Sequence, residues 1–136
     1  MMKPVIQLAK TGCGIASVAA LAGVSYTAAK CVANRMGISV TDNRLWSETA
    51  HVRRLLKQYR LRASTREMPF HSWETLPDRA LLAIKWHRVK NHAFWHWVVF
   101  VRDADGVYIL DSKRSLKRHV RKDFYRMKPR WFIEVH

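Results

Sequence analysis

A cysteine that opens a helix has a particular chemistry, because the free N–H groups of the first turn and the helix dipole favour the thiolate, the nucleophilic form. Cys13 occupies such a place, ahead of Ile15, Val18, Ala19 and Ala22 at helical spacing. Gly12 and Gly14 flank it, and the expectation is that they clear the way for an incoming peptide backbone. The competing reading is a small core residue, since free cysteine is among the most buried types. A thiolate needs a base, and of seven histidines His96 has a fixed place on a strand. In Phe94 to Phe100 the alternation puts Phe94, His96, Val98 and Phe100 on one core-facing surface. There an imidazole is either satisfied by a backbone carbonyl or functional. His92, just before the strand, is the rival base. The turn residues Asp103 to Gly106 then reverse the chain, and Val107 to Leu110 returns it to Asp111. A two-residue loop of 103 and 104 sets Asp111 opposite His96, a four-residue loop of 103–106 makes them diagonal neighbours on one face, and a three-residue loop breaks this parity unless a bulge restores it. A carboxylate there orients the imidazole and stabilises its charged form, completing a set of nucleophile, base and orienter.

The elements that must hold these residues read as helices first and strands afterwards. A first helix spans Cys13 to Ala22. A second is capped by Ser25 and stops near Met36, before Gly37. A third is capped by Thr41 or Asp42 and buries Leu45, Val52, Leu55, Leu56 and Tyr59. From Leu61 the period shifts towards two. Strands are expected over 61–65, 79–86, 94–102, 107–110 and 130–135, with a turn near Ser72 to Leu76 and a helical piece through Leu116, Val120 and Phe124. That order predicts an α+β fold in one domain spanning residues 1–136, with N-terminal helices packed on a C-terminal antiparallel sheet. The uncharged stretch from Thr11 to Ala29 has the length of a signal peptide or short span. Gly23-Val24-Ser25 interrupts it, so two short buried helices and no membrane span are expected.

The segments Gln7 to Val18, His96 to Phe100 and Tyr108 to Ser112 together resemble the bacteriocin-processing, or double-glycine, peptidase family of the papain-like clan, in order and spacing over nearly the whole chain. The resemblance implies a papain-like cysteine peptidase fold and no cofactor. It implies Cys13 as nucleophile, His96 as base, Asp111 as its orienter, and Gln7, six residues before the nucleophile, as an oxyanion-hole donor. It further implies cleavage of a peptide bond, such as one after Gly-Gly in a leader, through a Cys13 thioester. The chain departs from the family pattern at Gly12, where an acidic residue is usual, and at Ser112, where proline is frequent.

Composition bounds the rest. The 136 residues are 49% hydrophobic, enough for one sizeable core, and two cysteines make no disulfide framework, so a reducing, cytoplasmic compartment is expected. Neither cysteine nor the scattered histidines His51, His71, His87, His119 and His136 have metal-ligand spacing. Cys31 reads as core of the second helix. Lys and Arg number 25 against 10 Asp and Glu, a formal charge of +15, and nine of the 25 lie between Ser112 and His136 with only two acids. Arg114, Lys117, Arg118, Arg121 and Lys122 are expected to share an exposed face. Such a face is foremost a solvated one. An acidic protein partner ranks next, and nucleic acid last, for want of a binding-fold signature. Two other functions fit: a catalytically silent papain-like binding module, and an antibacterial effector neutralised by an acidic immunity protein.

Overall fold

A computed structural model describes residues 1–136. The chain enters extended and reaches α1 (Cys13–Ala22), whose small residues allow nine of ten positions to be buried. Gly23, left-handed at φ 72°, ends it. Ser25 then accepts a bond from the Ala28 N–H and starts α2 (Tyr26–Arg35), so the uncharged stretch is indeed two short helices, meeting at 110°. No single helix is long and apolar enough to cross a membrane. Along α2 the inward positions are Tyr26, Ala29 and Ala33, which leaves Cys31 exposed rather than in the core.

The expected third helix is broken into a 3-10 turn, Asn43–Trp46, and α3 (Ala50–Gln58). Asp42 caps the turn through the Arg44 N–H. The Leu45 carbonyl accepts the Trp97 indole N–H at 3.0 Å instead of a helical partner, and the chain restarts after Thr49. His51 reaches back to Asp42 at 3.1 Å and ties the two pieces together.

Six strands follow: β1 (Met68–Pro69), β2 (Arg79–Val89), β3 (His92–Asp103), β4 (Gly106–Leu110), β5 (Val120–Arg121) and β6 (Trp131–Glu134). They form one antiparallel sheet in the order β1-β6-β2-β3-β4-β5, so the fold is α+β. Two expectations fail here. Residues 61–65 contribute only an isolated bridge, Ala63 to Val135, and the Leu116 to Phe124 stretch is β5 followed by a 3-10 turn at Phe124–Arg126. Of the three residues at spacing four, only Val120 lies on a strand, so their spacing reflects no regular element.

Both faces of the sheet are covered, which explains why β3 reads as a continuous hydrophobic run rather than an alternation. Trp95, Trp97, Val99 and Val101 pack with Leu81, Ala83, Tyr108 and the three helices. Val98 and Phe100 belong to a smaller cluster with Leu82, Ile84, Ile109, Leu76 and Met127. Phe94 joins neither, packing edge-on to Trp46 instead. The break in alternation is a β-bulge: Ile84 pairs with His96 and His87 with Phe94, so Lys85 and Trp86 together oppose Trp95. Lys85 takes the left-handed backbone conformation, φ 54°, that such a bulge requires.

Candidate active site

The hairpin between β3 and β4 closes with Ala104 and Asp105, and Asp103 pairs with Gly106. That register runs Val101↔Tyr108 and Val99↔Leu110, so its continuation makes Asp111 a diagonal neighbour of His96 on one face. β4 ends at Leu110, where Asp111 turns away from β3. The two side chains meet: His96 Nε2 donates to Asp111 Oδ1 at 2.7 Å. His92 instead pairs with Val89 at the far end of the β2–β3 hairpin and is exposed.

Asp111 is fully buried and fully used. Its Oδ1 also accepts the Lys113 N–H at 3.0 Å, and its Oδ2 accepts Arg121 Nη1 at 2.9 Å. Its backbone N–H donates to the His119 carbonyl, and its carbonyl is 2.8 Å from His119 Nδ1. Burial alone would raise its pKa, but the bonds from His96, Lys113 and Arg121 prevail and hold the carboxyl well below the usual range. Arg121 is thus no surface charge. Its guanidinium bridges Asp111 and Asp123, with only 14% of its side chain exposed, contrary to the exposed face expected for the whole basic run. The sequence offered no sign of this, because the pairing depends on β5 docking against β4.

The imidazole of His96 is 13% exposed. Burial by itself would lower its pKa. The bond to Asp111 opposes that, the Cys13 thiol acts in the same direction, and together they raise the ring to about 9. With Nε2 on Asp111, Nδ1 is the nitrogen left for Cys13. Cys13 stands at the first position of α1 with no exposed surface.

The flanking glycines serve packing rather than access, a correction to the expectation above. A Cβ on Gly12 would lie 2.5 Å from the Tyr26 hydroxyl, and one on Gly14 would lie 2.8 Å from Val52 Cγ1 and 3.3 Å from the Leu45 carbonyl. Both residues let the start of α1 sit against its neighbours.

Gln7 is buried beside the same corner. Its backbone N–H donates to the Ser112 carbonyl at 3.0 Å, and its Oε1 accepts the Ser112 hydroxyl at 2.8 Å. Its Nε2 donates to the Ala9 and Lys10 carbonyls at 3.0 and 3.2 Å. These four bonds fasten the N-terminal segment to the residue after Asp111 and shape the loop that leads to Cys13. Ser112 is therefore part of the site through Gln7, a role the sequence did not announce.

Beside Gln7 and His96 opens a cleft of about 460 Å³ with Trp46 and Trp95 also in its walls; Cys13, fully buried, does not line it. No three His, Cys, Asp or Glu side chains converge on a point where a metal ion would sit. Comparison of the sequence with models of protein families and with curated proteins finds no match to either.

Proposed function

We propose that this chain is a cysteine peptidase with a papain-like fold, using Cys13, His96 and Asp111. The observation that carries the proposal is the Asp111 to His96 bond, which leaves one ring nitrogen for Cys13, the first residue of α1. An imidazole with a pKa of about 9 is an imidazolium at neutral pH, the partner an attacking thiolate needs. In the proposed reaction the Cys13 sulfur attacks the scissile carbonyl carbon. The oxyanion forms near the Cys13 backbone N–H, one of the donors that a helix leaves free in its first turn. His96 passes its proton to the departing amine, which leaves a thioester on Cys13. A water then attacks the thioester, giving its proton to His96, and the carboxylic acid departs.

Gln7 is the further candidate for the oxyanion. Its amide N–H groups rest on the Ala9 and Lys10 carbonyls, so it reaches an oxyanion by exchanging one of those bonds.

Labelling tests the proposal, and burial sharpens it. Cys13 is buried and Cys31 exposed, so accessibility alone makes Cys31 the faster thiol. Near pH 6, iodoacetamide should nevertheless modify Cys13 much faster, read by peptide mass spectrometry. His96→Ala should abolish that advantage. If Cys31 reacts first in the intact protein, the catalytic proposal is lost and a silent binding module takes its place.

A further inference from the structure

The walls of the cleft beside His96 carry cations and no acid. Lys10, Lys85, Lys113 and Arg114 line it, and none of them makes an ion pair. Lys85 is directed there by the β-bulge that also breaks the alternation of β3. Lys85 and Lys113 line the same cleft, and burial, followed by the charge of Lys113, pushes the Lys85 ammonium down. The acid that acts on Lys85 is Asp111, and both its oxygens are committed to His96, the Lys113 N–H and Arg121. Two unpartnered donors belong to residues of the same walls. The indole N–H groups of Trp46 and Trp95 are buried with no acceptor. A donor without a partner in a buried position is costly, and an indole can only donate.

From this acid-free wall of unpaired cations we infer that the site takes acidic peptides, with Asp or Glu side chains next to the scissile bond seated between Lys85 and Lys113. The inference rests on the peptidase proposal and adds a substrate class to it. A peptide fits better than a nucleic acid because the two indoles are already engaged with aromatic neighbours. Trp46 packs edge-on with Phe94, and Trp95 packs edge-on with Trp97 and Trp131, so neither is a free platform for a base.

The test compares two alkylating agents of nearly equal size, neutral iodoacetamide and anionic iodoacetate, each of which the thiolate attacks with loss of iodide. The preference of Cys13 for iodoacetate, divided by that of Cys31 in the same molecule, should be about ten-fold at low salt. That figure treats the two lysines as charges about 6 Å away in water, each contributing about three-fold. It should collapse towards one in Lys85→Gln/Lys113→Gln and in 0.5 M salt, and persist in Lys57→Gln, which lies on α3 away from the cleft. The intact protein in salt gives the same answer should the double variant not fold. A proteome-derived peptide library should then be cut beside Asp or Glu, with Glu→Gln in the best peptide lowering kcat/KM about ten-fold. Fast Cys13 labelling with equal cutting of the Glu and Gln peptides overturns the acidic substrate and leaves the peptidase standing. Slow Cys13 labelling overturns both. Better protection of Cys13 by a ten-residue oligothymidylate than by deca-glutamate overturns the peptide in favour of nucleic acid.

Discussion

Asp111→Asn is the most informative single change, because the wild-type carboxylate faces donors on both oxygens. Oδ1 serves His96 and Lys113, and Oδ2 serves Arg121. An amide has one acceptor oxygen. Turned with that oxygen towards His96 and Lys113, it presents N–H protons to the Arg121 guanidinium. Turned the other way, it donates to His96 Nε2 and forces the proton onto Nδ1, the nitrogen facing Cys13, where the ring cannot then accept one. The first orientation satisfies more donors, and Arg121 retains Asp123. Loss of the buried charge pair should cost about 3 kcal/mol of fold stability, measured as a denaturation midpoint.

The larger effect is on His96. Its rise from 6.5 to about 9 corresponds to about 3 kcal/mol in favour of the imidazolium, and Asp111 is the largest cause that raises it. A histidine raised in this way stabilises the fold fully below its unfolded pKa and loses that contribution as pH rises through its folded pKa. The wild-type protein should therefore lose stability between pH 6.5 and somewhat above 9, and the variant should show a flatter profile there. Nitrogen-detected titration of the ring should place His96 near 9 in the wild type and more than one pH unit lower in Asp111→Asn. The alkaline limb of kcat/KM should move down with it, since acylation needs the imidazolium to protonate the departing amine. A variant in which His96 still titrates near 9 refutes the assignment of Asp111 as the group that holds it.

Two further outcomes follow from packing. Arg121→Ala removes the partner of a fully buried carboxylate oxygen and should destabilise by about 3 to 5 kcal/mol, whereas Arg118→Ala, on the exposed side of the same basic run, should stay within about 0.5 kcal/mol by chemical denaturation. Gly14→Ala places a methyl 2.8 Å from Val52 Cγ1 and should cost about 1 to 3 kcal/mol, with recovery in Gly14→Ala/Val52→Ala. A neutral single variant shows that α1 does not sit as tightly as described.

The site residues that lie on regular elements were legible in the sequence for a physical reason: regular elements impose parity. Once β3 and β4 were read as a hairpin with an even loop, Asp111 had to share a face with His96, whichever pair of residues formed the turn. Cys13 could be placed because a helix start has its own residue pattern, and Ser25 marked where the next helix begins. What could not be read depends on contacts between elements far apart in sequence. The third helix broke because Trp97 takes the Leu45 carbonyl, a bond across 52 residues. Arg121 looked like its basic neighbours until β5 brought it to Asp111. Gly12 and Gly14 looked like openings for a substrate, and the atoms their side chains would meet belong to the protein itself.

The same distinction explains how the basic charge of the chain divides. Arg121 lies inside, where it joins His96 and the Lys113 N–H in keeping Asp111 ionised, and that ionised Asp111 holds the His96 proton. Lys85 and Lys113 stand a few side chains away with no acid of their own. The proposed site is therefore built on a charge arrangement rather than on moving protons: Arg121 and the His96 imidazolium share a buried anion, and Lys85 and Lys113 line the cleft beside them. Of these, the inner pair is screened from salt by burial, whereas the cleft lysines are exposed to it. Salt should therefore erode substrate capture, read as KM, well before it disturbs the His96 titration, read as the pH position of the alkaline limb of kcat/KM. If both move together with ionic strength, the inner pair is not the sheltered unit that its burial implies.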